Sequence, residues 1–260
     1  MTTIIRDRVF TTMFQLADLR DVTLENCDFS GTFTDEGALK IRGCHNIEIR
    51  YCRFHDLATS GIVIQSTSPS SNISIHHNEL WNIKGNGIIT KLPNSFVTIF
   101  NNRITNVGAN DRAHPIYCMT PGTLIEDNII SGTAGDGITI RTDGVIRGNR
   151  IWKSAKAAIR YFSDGRPGDL DSLVIEENYC VGSGAGYPVI SLLWSPSTVG
   201  QMLSRYRISC NTLTSTAATS PAFAVQSSQF AGKVIVLNDN VHAGALSLAH
   251  VTAARGNVEV

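Results

Sequence analysis

Between Asp111 and Arg166 this 260-residue chain gathers groups able to move protons and hold anions: Asp111, Arg112, His114, Tyr117, Asp136, Arg141, Arg160, Tyr161, Asp164 and Arg166, flanked by Lys91 and Trp194. Taking a proton from a carbon next to a carboxylate needs three things: a cation to offset the carboxylate, a base, and an acid for the leaving oxygen. Arg141 and Arg160 supply cations with paired N–H donors. His114 titrates near neutral pH and is the expected base, oriented by Asp136, and Tyr117 is the expected acid. Lys91, Asp111, Arg112, Tyr161, Asp164, Arg166 and Trp194 are the expected substrate contacts. The blander reading of the same residues is a solvent-facing polar surface with an internal His–Asp bond.

Other chemistries find less. Glycoside hydrolysis needs two carboxylates flanking the bond, for which Asp136 with Asp164 or Asp111 is the available pair. No metal site is expected: His76 and His77 are adjacent, so their side chains should diverge on a strand, and His45, His55, His242 and His250 stand alone. No phosphate loop, nucleophile elbow or dinucleotide fingerprint is present, so no cofactor is expected. The 22 Lys and Arg balance the 22 Asp and Glu, which gives no global field for nucleic acid or an anionic membrane. No window approaches the 18 apolar residues of a membrane span, and the first twenty residues lack a leader pattern, so synthesis in a cytoplasm is expected. The six cysteines form no CxxC pair. Reduced, structural thiols are expected, although Cys27 and Cys52 would be neighbours and leave a disulfide open.

Residues this far apart need a scaffold that stacks them, and the sequence contains one. The stretch Thr123 to Ile140 reads Ile-x-x-Asn-x-Ile and then Gly-Ile-x-Ile, and both patterns recur. The asparagine column runs through Cys27, Cys52, Asn78, Asn102, Asn128, Asn149, Asn178, Asn211 and Asn240, at spacings of 25, 26, 24, 26, 21, 29, 33 and 29. Three residues earlier stands Leu24, Ile49, Ile75, Ile99, Ile125, Ile146, Ile175, Ile208 or Leu237, with no polar member. A repeat of this length signals a solenoid, and short β-branched runs between Gly, Asn, Ser and Asp turns argue for strands. One unit closes one coil of three strands, and coils stacked about 4.8 Å apart put like residues in columns.

On these residues the chain resembles the right-handed parallel β-helix proteins of the pectate-lyase-like superfamily, phage tailspike-type members included. The resemblance implies an all-β fold of about 9–10 rungs, with residues 1–17 as an N-terminal cap, expected to be a short amphipathic helix, and residues 18–260 as the β-helix. It also implies that the outer face of the Gly-Ile-x-Ile strands floors a substrate groove. The outward column there is Lys40, Val63, Ile89, Tyr117, Thr139, Arg160, Ser191, Ala224 and Ser247. Thr105 to Ala113 should wall one side, and the insertions Phe162 to Ser172 and Trp194 to Ser204 the other. The implied partner is a polysaccharide, acidic by the cations above, either bound or cleaved by a lyase or epimerase. The alternative is a non-enzymatic virion component such as a spike, fibre or decoration protein. An open last rung and Ala- and Ser-rich stretches suggest a homo-oligomer, a trimer, or contact with other virion proteins.

Overall fold

The structure is a computed structural model that describes residues 2–163, 171–194, 202–216 and 219–260. Its strands are short because the repeat interrupts each apolar run with a turn residue after two to six positions. They assemble into three sheets. Among the described residues the first has eleven strands, from Thr3–Arg6 to Ala253–Arg255; the second has eleven, from Val9–Phe10 to Val258–Glu259; the third has nine, from Phe14–Ala17 to Phe223–Val225. Each strand pairs in parallel with its counterpart one coil before and one coil after. The chain therefore winds as a parallel β-helix, and every third strand in sequence is a neighbour in space.

Alternation along each strand sends one set of side chains inward. Ile62, Ile64, Ile88, Ile116, Ile138, Ile140, Ile159 and Ile190 from the third sheet meet Ile73, Ile75, Ile99, Ile125 and Ile146 from the first in one continuous buried core. The asparagine column forms as a ladder beside it. The Oδ1 of Asn128 accepts both the backbone N–H and the side-chain Nδ2–H of Asn102, at 3.0 Å each. Asn128 in turn donates Nδ2–H to the Ile99 and Glu126 carbonyls and to Asn149. A buried amide is thus satisfied on every polar atom. The ladder runs one step beyond the expected column: Asn240 donates to Asn257 Oδ1 in the last coil.

Residues 3–17 do not form the expected helix. They make a coil of their own, with Ile5 opposite Leu24, Phe10 opposite Phe29 and Phe14 opposite Leu39. Its register continues the repeat with Arg8 in the asparagine position, a substitution that hid it. Phe10 stacks on Phe14 and Phe29, at 4.4 and 4.7 Å between ring centroids, so this coil closes the core with aromatic rings. All six cysteines are free thiols and five are buried. Cys52 Sγ takes the place of an asparagine oxygen as acceptor for the Cys27 N–H.

Candidate functional site

The outward column of the third sheet has the register the repeat requires. Lys40, Val63, Ile89, Tyr117, Thr139, Arg160, Ser191 and Ala224 are successive partners across the strands. Around Tyr117, Thr139 and Arg160 an open cleft of about 400 Å³ is lined by Asp111, Arg112, His114, Asp136, Arg141, Lys156 and Phe162 as well. All five residues expected to be catalytic are brought together here, with Asp111 and Arg112 from the loop before the groove strand.

His114 and Asp136 belong to a second ladder, in the turn that leads into the third sheet. Ser60 Oγ accepts the backbone N–H of Asn86, Asn86 Oδ1 that of His114, His114 Nδ1 that of Asp136, and Asp136 Oδ1 that of Ala157, at 2.9–3.2 Å. Each coil supplies an acceptor for the next coil's backbone. An N–H can only donate, so Nδ1 of His114 holds a lone pair and the neutral ring carries its hydrogen on Nε2. Burial pushes the imidazole below its ordinary pKa, and the charge of Asp136 only partly offsets this. In this arrangement His114 is a neutral hydrogen-bond donor, and the role of base expected for it does not fit. Nor does the Asp136 carboxylate orient the ring, because its Oδ2 lies 3.8 Å from Nδ1.

The Asp136 carboxylate is occupied. Besides the Ala157 N–H, its Oδ1 lies 3.0 Å from Arg160 Nη2, and its Oδ2 accepts from the Thr139 hydroxyl at 3.0 Å. With its side chain almost wholly buried and both oxygens already engaged, it is poorly placed to flank a glycosidic bond. Asp136 is a post that fixes Arg160. The Arg160 guanidinium is shut in on its Nε and Nη2 side, with the Tyr187 ring 5.6 Å from its carbon, so the paired donation expected of it is reduced to the remaining nitrogen. Arg141 crosses the cleft floor, donates to Tyr117 Oη, and lies 4.5 Å over the Phe162 ring. Tyr117 lines the cleft, and accepting from Arg141 uses one of its lone pairs and leaves its O–H able to donate.

The remaining expected contacts divide. Lys91 lies outside the cleft, bonded to Glu36. Tyr161, expected in the groove, is not there: alternation that puts Arg160 and Phe162 outward puts Tyr161 inward, fully buried, edge-on to Tyr206 at 5.2 Å. Trp194 packs partly buried against the core. Asp164 and Arg166 fall outside the described residues, as does most of the wall expected from the two insertions. Lys156 was missed. It stands one coil above Gly135, next to Asp136, and salt-bridges Asp111 at 2.8 Å, and that bond holds the Asp111 carboxyl below the usual carboxylate range. Its signal was the turn after Ser154, one repeat after the Asp136 turn. Among the described lining residues Arg112, Arg141, Lys156 and Arg160 oppose Asp111 and Asp136, a local excess of two positive charges on a neutral chain. No group of three potential metal ligands occurs among the described residues.

Comparison with known proteins meets this geometry at the level of fold. A sequence model of the right-handed β-helix region matches residues 11–95. An alginate lyase from a Paenibacillus species has a TM-score of 0.63 at 14% identity, over 98% of this chain and 90% of that one. The chain is a right-handed parallel β-helix. A mannuronan C-5 epimerase A-module from Azotobacter vinelandii follows the same β-helix with a TM-score of 0.55 at 17% identity, over 93% of this chain. This β-helix spans 65% of that module's length. The Dettilon tailspike protein, at a TM-score of 0.41 and 12% identity over 98% of this chain and 62% of that one, is too distant to carry an argument. No curated protein sequence matches the chain significantly. At these identities the likeness carries the fold, and what the cleft does rests on its own residues.

Proposed function

We propose that this β-helix binds an acidic polysaccharide along its third sheet, with a sugar carboxylate seated among Arg160, Lys156 and the His114 Nε2–H. The observation that carries the reading is the cationic excess of the cleft on a chain of zero net charge. Neutral donors and partly buried cations favour an anionic ligand, and two of the solved structures with the same fold are, by name, an alginate lyase and a mannuronan epimerase. Affinity measurements against polyuronates and neutral glucans test it. Polyuronate binding should weaken with salt and fall at least tenfold in Arg141→Ala and Arg160→Ala. Equal affinity for the neutral glucan would sink the proposal.

Cleavage by β-elimination is the second reading, favoured by one observation: Tyr117 lines the cleft with Arg141 donating to its oxygen, an arrangement in which its O–H can still donate. In that reaction a base takes the proton beside the carboxylate, the carbon–oxygen bond breaks, and Tyr117 protonates the leaving oxygen. The base is the weak part. Within the described cleft His114 Nδ1 is taken, and Lys156 and Asp111 are ion-paired with each other. Ultraviolet absorbance of an unsaturated product, lost in Tyr117→Phe, separates cleavage from binding.

A further inference from the structure

We propose that His76 and His77 form a chelating site for a borderline divalent transition-metal ion, Cu2+ ahead of Ni2+ and Zn2+, on the outer face of the first sheet. The two residues were expected to diverge; they converge because His77 takes a left-handed backbone, φ 54°, and turns its ring back over the strand. The Nδ1 atoms are 2.8 Å apart. Two imidazole nitrogens bound at about 2.0–2.1 Å and at right angles on one ion are about 2.9 Å apart, so the two nitrogens, now joined by a hydrogen bond, already have the separation of adjacent ligands.

The neighbours prepare His76 for this role. Its Nε2 lies 3.0 Å from Glu48 Oε1 one coil earlier, and a carboxylate only accepts, so the hydrogen sits on Nε2 and Nδ1 offers its lone pair. A carboxylate behind a histidine is the usual support of a ligating imidazole, fixing its tautomer and raising its basicity. The ring is further held by stacking on Phe100 one coil later, at 4.6 Å and 18°. Arg50 engages the same Glu48 oxygen at 3.1 Å, which keeps that carboxylate in its supporting place. His77 is exposed. For it to ligate, the hydrogen it shares with His76 moves to its own Nε2, a tautomer change with no net proton released, and water completes the coordination. Imidazole nitrogen suits these ions, and the affinity order follows the Irving–Williams series.

The test is titration of the intact protein with Cu2+ or Ni2+ alone, by calorimetry and, for copper, by electron paramagnetic resonance. Saturable binding of one ion with two-nitrogen coupling is expected. His77→Asn, which tolerates the left-handed backbone, should lose at least tenfold in affinity with an unchanged circular dichroism spectrum, and Glu48→Gln about tenfold. Absence of saturable binding, or equal affinity in wild type and His77→Asn, overturns the assignment.

Discussion

The backbone N–H of Asp136 donates to Nδ1 of His114 at 3.0 Å, which makes the histidine a structural acceptor on one edge and a donor on the other. Asparagine fills the same slot one coil earlier, where Asn86 Oδ1 accepts the His114 N–H. His114→Asn should therefore keep the ladder and fold with near-native stability. His114→Ala orphans a buried N–H and should cost about 1–3 kcal/mol. Denaturant unfolding of the two variants checks this, and both should bind the acidic glycan more weakly.

The same bond sets a pH dependence. Burial lowers the His114 pKa in the folded state below its ordinary 6.5, so the unfolded chain takes up the proton first as pH falls. Stability contributed by the neutral ring is full above about pH 6.5 and is lost as pH drops toward the folded value. The melting-temperature advantage of wild type over His114→Ala should shrink from pH 8 to pH 5. A constant difference would show that the ring does not titrate as its burial requires.

Gly135 tests how tightly the ring is seated. A Cβ there would lie 2.6 Å from the Ala113 carbonyl oxygen and 2.7 Å from His114 Nδ1. The first contact is backbone and cannot move aside cheaply, so Gly135→Ala should destabilise by about 1–3 kcal/mol and displace the imidazole. The histidine ring's nuclear magnetic resonance signals should report the displacement even where the variant still folds.

What the sequence disclosed follows from what repeats. The asparagine column, the inward isoleucines and the outward column at Tyr117, Thr139 and Arg160 were legible because one register serves every coil. The first coil was hidden because Arg8 replaces the marker residue, and Tyr161 was misplaced because its polar tip outweighed the alternation that buries it. The roles of His114 and Asp136 were not legible: the bond that decides them runs from backbone to side chain between coils 22 residues apart. The approach of His76 to His77 was hidden in the same way, in a backbone angle.

Asp136 separates a structural carboxylate from a catalytic one. Asp136→Ala removes the partner of nearly buried Arg160 and the acceptor of the Ala157 N–H together, and breaking a buried pair from one side costs about 3–5 kcal/mol. Asp136→Asn retains an amide oxygen for Ala157 and should cost distinctly less. If Asp136 only positions Arg160, Asp136→Asn keeps measurable glycan affinity, and any elimination activity falls in proportion to that affinity. A variant that binds at wild-type strength yet turns over nothing would place the carboxylate in the chemistry itself, against the hydrogen bonds that now fill it.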